Sequence, residues 1–167
     1  HPQPDGGTAM RLLSLSLIPL ALLAVPLGAQ PASTQSRLTA TDEAAAFRAA
    51  GFKRVGRQWQ NCEEGSESPS YSAGEVETVR DINGDGRLDA VLIEGGAMCY
   101  GMTGQSFWLV SKQADGSWRK ITENVGLATF LPRKAVSGWP DIEIGGPGFC
   151  FPIWRWNGRE YALHRFQ

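Results

Sequence analysis

Beyond Gly51 the apolar residues fall into short runs, alternating with period two or rich in β-branched and aromatic side chains. Gly, Asn, Asp, Ser and Pro separate the runs. Such punctuation allows only a sheet of short strands joined by turns. Strands are expected over residues 53–60, 75–80, 88–94, 106–112, 118–122, 141–144, 150–156 and 160–166. Ala114-Asp115-Gly116-Ser117 marks one turn, and Asn157-Gly158 marks a tight hairpin with positive φ at both central residues. The polar stretch 61–72 reads as a surface loop held at one end by Cys62. One helix precedes all of this. Thr41-Asp42-Glu43 places acidic groups where a helix N-terminus favours them, an Ala-rich stretch runs to Ala50, and Gly51 is placed to end it. Ala45, Phe47, Ala49 and Ala50 supply its apolar face, with Phe47 and Phe52 as anchors. The expected fold is α+β and mostly β: one N-terminal helix packed on an antiparallel sheet or small barrel, with a hairpin closed by a metal loop.

The leading segment has another purpose. Met10-Arg11, an apolar run over residues 12–27 and then Gly28-Ala29-Gln30 have the layout of a secretory signal peptide at 10–29, cut after Ala29. The run barely reaches spanning length, contains Pro19 and Pro26, and has no basic cluster after it, so no membrane span is expected once it is cleaved. Residues 1–9 read as an upstream extension, 30–39 as a flexible leader and 40–167 as a single mostly-β domain. The expected location is the periplasm or the cell exterior.

Sixteen Lys and Arg against 17 Asp and Glu leave no basic run for a phosphate backbone, which argues against nucleic acid as a partner. Export favours disulfides among Cys62, Cys99 and Cys150, but three is an odd number. Residues 161–167 read as a strand cut off without a turn, so a further cysteine past Gln167 is expected. With that cysteine the pairing is Cys62 with Cys99, leaving Cys150 for the absent partner, while the sequence also permits the other pairings.

Chemistry is concentrated in Asp81-Ile82-Asn83-Gly84-Asp85-Gly86-Arg87-Leu88-Asp89. A Ca2+ ion takes six to eight oxygens, and a tight loop supplies them from alternate positions. Asp81, Asn83 and Asp85 occupy positions one, three and five, Gly86 permits the turn at six, the carbonyl of Arg87 falls at seven and Asp89 at nine. Three carboxylates in nine residues repel one another without a cation. The alternative is a plain turn with solvated acids, which accounts for neither Asp81 nor Asp89. Position twelve is Leu92, so the bidentate Glu of an EF-hand is missing, and the flanks are strand-like.

A strand, D-x-N-x-D-G-x-x-D, strand arrangement resembles the calcium loops of FG-GAP and VCBS repeats, found in secreted and cell-surface proteins. That resemblance covers about twenty residues and implies Asp81, Asn83, Asp85, Arg87 and Asp89 as ligands. Those families repeat the unit around a propeller, whereas this chain has one copy. The order calcium loop, Cys99-Tyr100-Gly101, residues 107–111 and Trp156-Asn157-Gly158-Arg159-Glu160-Tyr161 also resembles small secreted bacterial proteins. This second resemblance implies a cysteine a few residues beyond the end and implies no activity.

Little else suggests catalysis. After signal cleavage one histidine, His164, remains, too little for a zinc site or a triad. Glu94, Asp141 and Glu143 are carboxylates that no spacing links, and Gly145-Gly146-Pro147-Gly148 lacks the Lys and helix of a phosphate loop. The aromatics Trp108, Trp118, Trp139, Phe149, Phe151, Trp154, Trp156 and Tyr161 are expected mainly in the core. In residues 149–156 bulky groups alternate on both faces, one of which is a candidate contact surface. The expected function is that of an exported calcium-binding domain, non-enzymatic, binding a protein or a cell-envelope component. The alternative is an envelope enzyme or enzyme inhibitor.

Overall fold

Helix α1 (Ala40–Ala50) begins where Thr39 turns its hydroxyl to the Asp42 amide, 3.1 Å away, and ends at Gly51 in the left-handed conformation, φ 95°. It starts one residue earlier than the acidic pair alone suggests, because Thr39 is the cap. The computed structural model describes residues 37–134 and 137–167. The segment read as a signal peptide, the extension expected before it and the expected leader up to residue 36 lie outside the described residues. Among the described residues no helix is long and apolar enough to cross a membrane.

Among the described residues ten strands follow: β1 (Lys53–Val55), β2 (Gln58–Gln60), β3 (Ser72–Arg80), β4 (Asp89–Gly95), β5 (Gln105–Lys112), β6 (Trp118–Val125), β7 (Leu127–Lys134), β8 (Pro140–Gly145), β9 (Pro152–Trp156) and β10 (Tyr161–Phe166). A short helix, α2 (Ala97–Tyr100), lies between β4 and β5. The first six strands form one antiparallel sheet in chain order, and the last four form a second in the order β10-β9-β8-β7. The expected mostly-β fold with an N-terminal helix is what the chain adopts.

Strand alternation explains the layering. Ala90 and Leu92 of β4 and Trp108 and Val110 of β5 point to α1, where they pack with Ala46, Phe47, Phe52 and Trp59. Their neighbours Val91, Phe107 and Leu109 point the other way, into a core shared with Ile142, Ile144, Trp156 and Tyr161 of the second sheet. The β4–β5 pair is buried on both faces, which is why its sequence reads as continuous apolar runs. Most of the aromatics do fill these two cores. Phe149 does not: it is 97% exposed, in the loop before β9.

Three local expectations are corrected. Residues 53–60 form a hairpin and not one strand, because Gly56 turns the chain at φ 57°. Strand β7 was not expected. It contains Pro132, tolerated because β7 is the edge of its sheet. The Asn157-Gly158 turn has positive φ at Gly158 alone. The Asn157 side chain accepts from the amides of Arg159 and Glu160, so the loop is four residues long.

One charged contact fastens the helix to the sheet. The Asp42 carboxylate accepts from Lys112 Nζ at 3.0 Å and from the Trp118 indole N–H at 3.0 Å. The hydrogen bond from Lys112, then that from Trp118, holds its pKa below the usual value. A depressed carboxylate stabilises the fold above its unfolded pKa of about 3.9, and that stability is lost as pH falls through the folded value. Asp42→Asn is therefore expected to cost about 1 kcal/mol at neutral pH and to flatten the acid limb of the stability curve below pH ~4. Urea titrations at several pH values check this; parallel acid limbs in both proteins would show that Asp42 is not the titrating group.

Candidate metal loop and the carboxylate clasp beside it

Arg80 pairs with Asp89 in the β3–β4 ladder, so residues 81–88 form the loop closing that hairpin. Gly84 and Gly86 take positive φ, 80° and 82°, where a side chain would be strained. The loop folds back on its own acids. Asp81 Oδ1 accepts from the amides of Gly84 (2.7 Å) and Asp85 (3.1 Å), and its Oδ2 accepts from Gly86 (2.8 Å). Asn83 Oδ1 accepts from the Asp85 amide at 3.0 Å. Asp85 accepts from the Arg87 amide (2.8 Å) and pairs with its guanidinium (2.6 Å), while Arg87 Nε reaches the Lys112 carbonyl on β5.

Asp89 differs from the others. It is fully buried, and its Oδ2 accepts from the amides of Ile82 at 2.7 Å and Asn83 at 3.4 Å. Burial pushes its carboxyl pKa up; the Ser111 hydroxyl on the facing strand, then the two amides, offset part of this, and Asp85 adds to the rise. Its Oδ1 has no partner in hydrogen-bonding geometry, Ser111 included.

The five residues expected as ligands thus share one loop, with Asp81 and Asp85 on its exposed side and Asp89 beneath. Among the described residues, no three side chains of His, Cys, Asp and Glu converge as a metal-holding group. The donor set still suits a hard cation. It consists of carboxylate, amide and carbonyl oxygens, of which Asp81 Oδ1 and Asp85 Oδ2 each already accept from two donors. The buried Oδ1 of Asp89 has no partner in hydrogen-bonding geometry.

Comparison with protein families, curated proteins and solved structures finds no match. The site is therefore read from its own residues.

Of the carboxylates considered for catalysis, Asp141 and Glu143 stand two residues apart on β8, while Glu94 lies on β4 in the other sheet. Asp141, on β8, forms a two-bond ion pair with Arg155 at 2.9 and 2.6 Å. Glu143 accepts from the Gln167 side chain. Glu94, at the other end of β4 from Asp89, is 1% exposed and anchors a cluster that was not foreseen. It accepts from the amides of Asn61 and Cys62, from the Tyr71 hydroxyl at 2.6 Å and from the Tyr100 hydroxyl. Burial first, and then the Glu94 carboxylate, raises both tyrosine pKa values, so both hydroxyls stay protonated as donors. A Glu at the end of the apolar run Ala90-Val91-Leu92-Ile93 was the available signal, since a charge in such a strand needs partners. The expected Cys62–Cys99 disulfide closes over this cluster, and Cys150 is a free, exposed thiol.

Proposed function

We propose that this chain is an exported, non-enzymatic β domain whose 81–89 loop binds Ca2+ as a structural clip, and that the domain acts by binding a protein or a cell-envelope component. The observation that carries the metal reading is a loop with an oxygen donor at positions one, three, five, seven and nine, in which a buried Asp89 oxygen is left without a hydrogen-bond donor. Resemblance to the FG-GAP and VCBS calcium loops supports it. The disulfide and the signal-like segment at residues 10–29 support export. Exposed apolar side chains support a contact role: Met98 lies in α2, Met102 follows just after it, and Phe149 projects from the loop before β9.

An extracellular-type affinity of about 0.1 mM against about 1 mM calcium gives only about 1.4 kcal/mol of stabilisation. That suits a clip better than a sensor. A chelator is accordingly expected to lower the melting temperature by about 5 °C without unfolding the domain at room temperature. Asp85→Ala, which removes an exposed ligand, should abolish the response to calcium. Melting curves that coincide with and without calcium would reduce the loop to an ordinary turn.

A further inference from the structure

The loop touches the second sheet at two adjacent residues. Ile82 is 5% exposed and belongs to the same inter-sheet core as Trp139, Ile142 and Ile144. One residue on, the Asn83 carbonyl lies against Gly138, so closely that a Cβ built on Gly138 would come within 2.1 Å of the oxygen. Gly138 also has φ 81°, so only glycine fits there without strain. Asp89 ties the two contacts together, because its Oδ2 accepts from the amides of both Ile82 and Asn83. A groove of about 230 Å³ runs along the same seam, with Asp81 and Ile82 on one side and Phe130 and Pro140 on the other.

We propose that cation binding in the 81–89 loop and the seating of Gly138 and Trp139 against that loop are coupled, so that the ion locks the second sheet onto the first. This rests on the calcium reading above. Asn83 and Asp89 stand in both arrangements. As ligands they must hold fixed positions around the ion, and those positions set where the Ile82 side chain and the Asn83 carbonyl meet the second sheet. Ile82 is a plug in a close-packed core, which has discrete packings and does not deform continuously. A loop that relaxes withdraws the plug and the Gly138 contact together. Such coupling is reciprocal: whatever factor the ion adds to seating, seating adds to ion affinity.

Gly138→Ala tests this from the sheet side, far in sequence from any ligand. Calorimetric titration with CaCl2 is expected to show affinity weakened at least about fivefold in this variant. In the unaltered chain, calcium should slow amide hydrogen exchange across residues 137–145 relative to chelator. If Gly138→Ala does not fold, Ile82→Val trims the plug by one methylene and is read in the same two ways. Unchanged affinity in a folded variant, together with exchange at 137–145 indifferent to calcium, overturns the coupling. Calcium binding by the unaltered chain with no response at 137–145 removes the coupling alone. No heat of calcium binding in the unaltered chain removes the metal reading and the coupling with it.

Discussion

Replacing Glu94 with Ala is expected to destabilise the domain by about 3–5 kcal/mol, among the largest effects any single side chain here can have. Four donors converge on this carboxylate: two backbone amides from the 61–62 segment and two tyrosine hydroxyls. Removing the acceptor leaves them facing a pocket in which Glu94 itself is 1% exposed. A buried donor without a partner costs about 1–3 kcal/mol, and water that enters the vacated volume recovers part of the total. Since whole domains are stable by only about 5–15 kcal/mol, the variant should remain folded in the cold and melt far lower. Glu94→Gln keeps an acceptor and most of the shape, and about half the loss is expected. Urea unfolding of the three proteins decides it. A cost below about 1 kcal/mol for the alanine variant would mean that the donors find other partners and that Glu94 is dispensable.

What the sequence made legible was local. Period-two alternation identified most of the strands, and the doubly apolar run Ala90-Val91-Leu92-Ile93 already carried the information that β4 is covered on both faces. Gly51 ends α1 where it was expected to, whereas Thr39, read as the last residue of the leader, is the N-cap. What escaped depends on long-range contact or on tertiary override. Strand β7 was hidden because Pro132 and the break at Gly126 argue against a strand, and only its place at a sheet edge makes the proline acceptable. The hairpin within residues 53–60 was hidden because Gly56 is a single weak breaker in a short segment whose apolar residues are Val55 and Trp59 alone.

The 81–89 loop divides in the same way. The positions proposed as ligands are a matter of spacing and are visible in the chain. Ile82, an apolar residue inside a polar loop, was a signal that something had to cover it, but the partners Trp139 and Ile142 lie more than fifty residues away. The Gly138 contact on Asn83 leaves no trace in sequence beyond a glycine followed by a tryptophan. The tyrosine partners of Glu94 were equally invisible, because Tyr71 and Tyr100 read only as loop residues flanking the strand.

Breaking the Cys62–Cys99 disulfide is the second large effect, and its size is tied to the first. The bridge joins residues 37 apart in sequence. Closing a loop of that length restricts the unfolded chain by about 4 kcal/mol in the chain-entropy account. In the folded state it also holds two of the segments that serve Glu94: Cys62 donates its own amide to the carboxylate, and Cys99 immediately precedes Tyr100. Gly65 lies over the bridge, where a Cβ would come within 2.4 Å of Cys99 Sγ, so the 61–71 loop is moulded to the sulfurs. The paired Cys62→Ser and Cys99→Ser variant, made with Cys150→Ser to exclude thiol exchange, is expected to lose about 3–4 kcal/mol relative to Cys150→Ser alone. Adding Glu94→Ala should then cost less than it does with the bridge intact, by more than about 0.5 kcal/mol, because the donors it strands are no longer held in place. Urea unfolding of the four proteins forms a double-mutant cycle. Equal midpoints with and without the bridge would remove the stabilising role of the disulfide. Full additivity would leave that role standing but separate it from the clasp, making the bridge a constraint on the unfolded chain alone.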